Sequence, residues 1–112
     1  MRVTIYHNPK CSKSRQTLAL LQENGIEPKV VEYMSAPLNA EDLTGVLSKL
    51  GLGPRDILRS KEAKEEGIGQ LLDGTDIIAA IASHPRVMQR PIVVKGNKAV
   101  IGRPPENVLE IL

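Results

Sequence analysis

The 112-residue sequence contains very few aromatic side chains: two tyrosines, and neither phenylalanine nor tryptophan. Proteins that bind single-stranded nucleic acids usually stack the bases on aromatic side chains, so this scarcity argues against a nucleic-acid partner. The formal net charge of +2 is also too small to indicate a polyanionic ligand. Hydrophobic residues nevertheless make up 41% of the chain, which is enough for one aliphatic core in a single domain over residues 1–112.

Cysteine is equally scarce, because Cys11 is the only one, and an internal disulfide is therefore excluded. One cysteine and two histidines are poor material for a zinc site, and the sequence gives no sign of a metal, nucleotide or flavin cofactor. The longest apolar run, Ile77 to Ala82, is too short to cross a membrane, and the N-terminus lacks the apolar stretch of a signal peptide. We therefore expect a cytoplasmic monomer with no membrane association and no bound cofactor.

Local patterns predict an α/β chain with the order βαβ, a helical insert over about 36–86, and ββα. A helix between the first two strands makes those strands parallel. Gly96-Asn97 predicts a two-residue hairpin turn between the last two strands. The sequence thus indicates a four-stranded mixed sheet with helices. The expected strands are 3–6, 30–33, 92–94 and 99–101. Three helices are expected over 39–50, 54–59 and 77–81, and two more begin after Cys11 and after Pro104.

Cys11 lies between the first strand and the first helix, in a polar and basic stretch from His7 to Arg15. A helix N-terminus directs unpaired N–H groups at the sulfur, and Lys10, Lys13 and Arg15 add positive charge, with His7 as a further candidate. Such surroundings lower the pKa of a thiol. The position therefore predicts a reactive thiolate at neutral pH rather than a small buried hydrophobic residue. His7 either tunes this thiolate or simply ends the strand.

Ser14 stands where a dithiol oxidoreductase carries its second cysteine, so the motif is Cys-x-x-Ser. Because the sequence contains no resolving thiol, an adduct on Cys11 must be released by an external thiol such as glutathione or glutaredoxin. Arg15 is too close to Cys11 for the anion-binding loop of tyrosine phosphatases, in which the cysteine and the arginine stand further apart.

Three arginines at the boundaries of predicted elements, Arg59, Arg90 and Arg103, are candidates for holding a tetrahedral oxyanion. The forked donors of a guanidinium suit such anions, although a single arginine is more often solvated or ion-paired at the surface. Residues 61–66 instead predict a solvated helical face with an i, i+4 ion pair inside it.

Four segments together resemble the signatures of the glutaredoxin-dependent arsenate reductase family (ArsC type), in its short-chain branch. The segments are residues 5–9, 11–15, 90–94 and 101–106, and the resemblance extends over almost the whole chain apart from 60–74, which matches poorly. It implies a thioredoxin-like fold with the strand order 2-1-3-4. It also implies a cis peptide bond before Pro91, with this proline facing Cys11.

The same resemblance implies a role for each candidate residue. Cys11 is the nucleophile that attacks arsenate, and His7 assists its ionisation. Glutathione then joins the adduct as a co-substrate, and glutaredoxin reduces the mixed species so that arsenite leaves. The residues expected to bind arsenate, its adducts or the thiolate are Arg59, Arg90, Arg103, Ser14 and Arg15.

Two other functions fit the same residues. One is a monothiol, glutathione-dependent oxidoreductase that acts on a substrate other than arsenate. The other is an Spx-like regulator that uses this fold to contact RNA polymerase. Such regulators usually carry Cys-x-x-Cys as a redox switch, which Ser14 removes here.

Overall fold

A computed structural model of the protein describes residues 2–68 and 73–112. The chain forms two compact units. The first contains the chain up to Ala36 and again from Arg90 to Leu112, and the second spans Pro37–Gln89. The poorly matching segment 60–74 lies partly outside the described residues, because it includes 69–72. Among the helices of the described residues, none is long and apolar enough to cross a membrane.

The first unit is built on a mixed sheet, which in the described part of the chain has four strands. These are β1 (Val3–His7), β2 (Lys29–Glu32), β3 (Ile92–Lys95) and β4 (Lys98–Ile101). The strand order is β2-β1-β3-β4, as predicted; β1 and β2 are parallel, and the other two pairs are antiparallel. Ile5 of β1 lies opposite Val30 on one side and Val93 on the other, so apolar residues are in register across the sheet.

Two helical segments complete the first unit. The helix α1 (Ser12–Glu23) connects β1 to β2, and a 3₁₀ helix (Pro105–Ile111) after β4 forms the predicted last helix. Leu21 of α1 and Val108 of the 3₁₀ helix are buried together with residues of β1 and β3, so both segments cover the sheet. This aliphatic core matches the composition of the sequence.

The second unit is helical, with α2 (Ala40–Leu50), α3 (Ser60–Glu65) and α4 (Gly74–Ser83). The start of α2 is a capping box, in which the Asp42 N–H donates to Asn39 Oδ1 at 2.8 Å and the Asn39 N–H donates to Asp42 Oδ2 at 3.4 Å. Its end is Gly51, whose φ of 70° favours glycine. The caps therefore fix α2 at the predicted place.

The helix predicted over 54–59 is shorter than expected. A 3₁₀ helix covers Pro54–Ile57 only, and Leu58 is already extended. The reason is that Leu58 forms an antiparallel bridge with Met88. This contact joins residues far apart in the chain, so the local sequence pattern did not reveal it. Arg59 consequently lies after an extended residue instead of ending a helix.

Candidate active site

Cys11 is the N-cap residue of α1, with an extended backbone (φ −93°, ψ 124°). Its N–H donates to the Asn8 carbonyl oxygen at 2.9 Å, and its own carbonyl oxygen accepts from the Arg15 N–H at 3.1 Å. These bonds fix the turn that leads from β1 into the helix. The partly exposed side chain therefore lies at the N-terminus of α1, where the N–H groups of a first helical turn lack partners in the helix itself.

Burial raises the pKa of the Cys11 thiol, but hydrogen-bond donors lower it more in sum, and the pKa falls to about 7. The donors are the backbone N–H of Ser14, the side chain of Arg90 and the backbone N–H of Lys13, and the charge of Arg90 adds to their effect. Each of these groups favours the thiolate over the thiol. The thiolate of Cys11 is therefore accessible at neutral pH.

Arg90 and Arg103 both reach the thiol with their side chains. Arg90 does so as a donor to the sulfur, and Nη2 of Arg103 lies 3.7 Å from Sγ of Cys11. Arg103 is also bound to Arg90, because its Nε donates to the Arg90 carbonyl oxygen at 2.8 Å. The Arg90–Pro91 peptide bond is cis, which confirms the prediction, and the Arg103–Pro104 bond is cis as well. The structure thus brings two of the three predicted arginines to Cys11.

The backbone just before Arg103 packs closely against α1. The single hydrogen of the Thr17 hydroxyl is shared between the Lys13 carbonyl oxygen at 2.8 Å and the Gly102 carbonyl oxygen at 3.4 Å. The Gly102 N–H donates to the Pro91 carbonyl oxygen at 2.9 Å. A Cβ atom at position 102 would lie only 2.7 Å from Oγ1 of Thr17 and 2.9 Å from Cγ of Pro91, so this approach requires glycine.

Ser14 and Arg15 brace the loop that precedes Cys11. The fully buried Ser14 hydroxyl accepts from the Asn8 N–H at 3.4 Å. The exposed Arg15 side chain donates from Nη1 to the Pro9 carbonyl oxygen at 2.9 Å. At the thiol itself, Ser14 acts through its backbone N–H rather than through its hydroxyl.

His7 is buried at the end of β1, with 6% of its surface exposed. Its Nδ1 has no hydrogen-bond partner among the described residues. Burial lowers the pKa of the imidazole, Glu32 opposes this, and Arg15 lowers the pKa further, so the net effect is a lowered pKa. The neutral ring therefore predominates at neutral pH. His7 therefore does not supply the positive charge that was considered from the sequence.

Arg59 belongs to the second unit, where it precedes α3 and is ion-paired. Its Nε lies 3.1 Å from Oε2 of Glu62, its Nη2 donates to Oε1 of Glu62 at 3.3 Å, and its Nη1 donates to Oε1 of Gln89 at 3.4 Å. Only 20% of the Arg59 side chain and 12% of the Glu62 side chain are exposed. The interpretation of residues 61–66 as a solvated face is therefore wrong for Glu62. Glu65, in turn, pairs with Arg86 at 2.7 Å and not within the helix as predicted.

Sequence reasoning did not single out Thr17, Gly102, Glu62 or Gln89. A glycine directly before an arginine at the end of a strand is a signal for close backbone approach, so Gly102 could have been found. Glu62 follows Arg59 by three residues, a spacing that allows pairing at the start of a helix. Thr17 and Gln89 carry no local signal, because their partners are distant in the chain.

The sheet order, the cis proline before β3 and the cysteine at the start of α1 place the protein in the class of thioredoxin-like folds. Within that class, the chain belongs to the ArsC family, whose sequence model matches residues 6–111. The resemblance found in the sequence is thereby confirmed.

Individual relatives match over their full length. An arsenate reductase of Haemophilus influenzae is 45% identical, over 100% of this chain and 100% of its own. The uncharacterized protein YfgD of Escherichia coli K12 is 50% identical, over 99% of this chain and 97% of its own. The solved structure of an arsenate reductase from Vibrio cholerae is 48% identical, covers 100% of this chain and 98% of its own, and has a TM-score of 0.94. The predicted fold is confirmed as well.

Proposed function

We propose that the protein is a monothiol arsenate reductase that converts arsenate to arsenite, with Cys11 as the nucleophile. The observation that supports this best is the Cys11 thiol at a helix N-terminus with two arginine side chains on its sulfur. Membership of the ArsC family and full-length relatives named arsenate reductase support the choice of substrate. We place the reaction in the cytoplasm and the protein in a monomeric state.

The first step is attack of the Cys11 thiolate on arsenic. A sulfur–arsenic bond forms, and one arsenate oxygen takes up protons and leaves as water. The thiolate is available near neutral pH because the pKa of Cys11 is about 7. Arg90 and Arg103 bind the anion and offset the negative charge of the adduct, which favours the transition state as well as binding.

The two electrons come from outside the chain, since the sequence has a single cysteine. Glutathione replaces a second oxygen on arsenic, which again leaves as water. A glutaredoxin thiolate then attacks the glutathione sulfur, so a disulfide forms, the sulfur–arsenic bond to glutathione breaks, and its electron pair reduces arsenic from the +5 to the +3 state. Water finally cleaves the bond to Cys11 and releases arsenite.

The remaining predicted residues take supporting roles in this proposal. Arg59 as a third anion ligand stays a prediction from the family resemblance; its bonds to Glu62 and Gln89 leave further N–H donors on both terminal nitrogens. Ser14 and Arg15 hold the loop before Cys11 in place. His7 assists ionisation of the thiol as a neutral hydrogen-bonding group.

The test is arsenate-dependent oxidation of NADPH with glutathione, glutathione reductase and glutaredoxin, comparing wild type with Cys11→Ser. Turnover in the wild type that disappears in the variant supports the reaction and the nucleophile. Equal turnover without glutaredoxin would contradict the third step only. If the wild type shows no turnover while iodoacetamide still modifies Cys11 readily, arsenate is not the substrate, and a glutathione-dependent oxidoreductase of another substrate takes its place.

A further inference from the structure

We propose that Thr17 and Gly102 are positioning residues that set the place of Arg103 relative to the Cys11 thiol. The inference rests on the proposed function insofar as Arg103 is taken to stabilise the thiolate and bind the oxyanion. The packing that carries it is independent of the substrate.

Thr17 is a polar residue that is fully buried in α1, the same helix that Cys11 begins. A buried hydroxyl needs a hydrogen-bond partner, and the Lys13 carbonyl oxygen of its own helix already provides one at 2.8 Å. The same hydrogen also reaches the Gly102 carbonyl oxygen, as the longer branch of a bifurcated bond, at 3.4 Å and across 85 residues of sequence. The Thr17 hydroxyl therefore contacts a carbonyl oxygen outside its own helix and connects α1 to the backbone that follows β4.

Steric contact between the two residues is as important as this bond. A Cβ at position 102 would lie 2.7 Å from Oγ1 and 3.1 Å from Cγ2 of Thr17, and 2.9 Å from Cγ of Pro91. Gly102 is thus held between Thr17 and Pro91, and its N–H donates to the Pro91 carbonyl oxygen at 2.9 Å. A backbone that touches both neighbours has little freedom to shift.

Arg103 follows Gly102 directly in the chain, so the position of the Gly102 backbone sets the position of the Arg103 backbone. Its Nε is bound to the Arg90 carbonyl oxygen at 2.8 Å, and its Nη2 lies 3.7 Å from Sγ of Cys11. A displacement of Gly102 away from α1 therefore moves the Arg103 guanidinium away from the sulfur. Thr17 couples the helix that carries the thiol to the backbone that carries the arginine.

A simpler role for Thr17 is that it only fills space and stabilises α1. Thr44 in α2 offers a matched control, since its hydroxyl donates to the Ala40 carbonyl oxygen at 2.8 Å, the same i to i−4 bond, on an exposed part of the helix. Thr17→Val and Thr44→Val remove the same kind of bond. Only the first also changes the contact with Gly102.

The experiment compares Thr17→Val, Thr17→Ser and Thr44→Val with the wild type. The readouts are the pH profile of Cys11 alkylation by iodoacetamide, the kinetics with arsenate, and thermal unfolding. In Thr17→Val a methyl replaces the hydroxyl and presses on Gly102, so the alkylation rate at pH 7 should fall about threefold because the thiol pKa rises. The value of kcat/KM for arsenate should fall about tenfold, mainly through KM, because Arg103 is misplaced as a ligand.

Thr17→Ser keeps the hydroxyl and should stay within about twofold of the wild type in both rates, while Thr44→Val should match the wild type. If Thr17→Val does not fold, Thr17→Ala removes the hydroxyl without adding volume and should shift both readouts in the same direction. An unchanged alkylation profile in folded Thr17→Val or Thr17→Ala would overturn the proposal. Equal decreases of the alkylation rate and of kcat/KM in Thr17→Val and Thr44→Val would also overturn it. If the wild type does not turn over arsenate, the proposed function fails, whereas the alkylation profile still decides the positioning role.

Discussion

At the scale of single residues, the reactivity of Cys11 results from opposing effects on one sulfur. Burial favours the neutral thiol, while two backbone N–H groups and the Arg90 guanidinium favour the thiolate and lower the pKa to about 7. The backbone donors belong to α1 and persist in any variant that keeps the helix. Arg90 is the side chain in this balance, and a single substitution can remove it.

We predict that Arg90→Met raises the pKa of Cys11, because loss of the guanidinium removes a donor and a positive charge from the thiolate. The iodoacetamide rate at pH 7 should fall about threefold, and the midpoint of its pH profile should move to higher pH. Arg86→Met, which removes an exposed arginine paired with Glu65, is the control and should leave the profile unchanged. An unshifted midpoint in Arg90→Met would show that Arg90 does not contribute to ionisation of the thiol.

At the scale of elements, the N-cap residue of α1 is the reactive Cys11, and cysteine is not a residue that stabilises helix N-termini well. Serine, threonine, aspartate and asparagine are the preferred N-cap residues, and cysteine is not among them. The α2 helix, whose N-cap is Asn39 with a complete capping box, shows what the same chain does where no reaction depends on the cap. A serine at this N-cap should therefore stabilise α1 more than cysteine does.

Cys11→Ser should therefore be inactive and yet more stable than the wild type at pH 6, by about 0.5–1 kcal/mol. The folded pKa of Cys11 is about 7 and below that of the unfolded thiol, so the thiolate contributes stability above the unfolded pKa and loses it as the pH falls through 7. The advantage of the variant should shrink between pH 6 and pH 9. Urea unfolding of both proteins under reducing conditions measures this, and parallel pH dependences would contradict it.

The helix α3 has one ion pair at its start and another at its end, and the two pairs differ mainly in burial. The Arg59–Glu62 pair is mostly buried, whereas the side chains of Arg86 and Glu65 are 48% and 45% exposed. Glu62→Gln should cost about 1–3 kcal/mol of unfolding free energy, because a mostly buried guanidinium loses its counter-charge. Glu65→Gln should cost less than about 1 kcal/mol. Equal costs in urea unfolding would mean that burial of the first pair has no energetic consequence.

At the scale of the whole chain, the protein cannot reduce arsenate by itself, because one cysteine provides one thiol and the reduction requires two electrons. We predict that wild-type protein incubated with arsenate alone releases no arsenite, even at high protein concentration. Addition of glutathione and glutaredoxin should then give one arsenite for each mixed disulfide formed between them. Arsenite detected by chromatography before any external thiol is added would contradict the external-thiol mechanism.

Much of the architecture was readable from the sequence, and the exceptions share a cause. The strand order, the cis Pro91 and the arrival of Arg90 and Arg103 at Cys11 were expected from the resemblance to the ArsC family, which short signature segments carry. The early end of the 3₁₀ helix at Ile57 depends on Met88. That contact joins residues distant in the chain, as does the contact of Thr17 with Gly102, so neither leaves a trace in local periodicity.

The burial of Glu62 was missed for a related reason. Local charge patterning identifies a residue that is able to pair, but it does not show whether packing shields the pair from solvent. The same limit applied to His7, whose position at the end of a strand was clear, whereas its buried surroundings and neutral state required the structure.

The close approach of Gly102 to Thr17 also restricts how this sequence can diverge. Any side chain at position 102 would occupy volume that the Thr17 hydroxyl and methyl now fill, so neither position is able to accept a larger residue independently. Homologues that carry alanine at position 102 should carry a smaller residue at position 17 and a shifted or smaller residue at position 91, so these positions should change together during evolution.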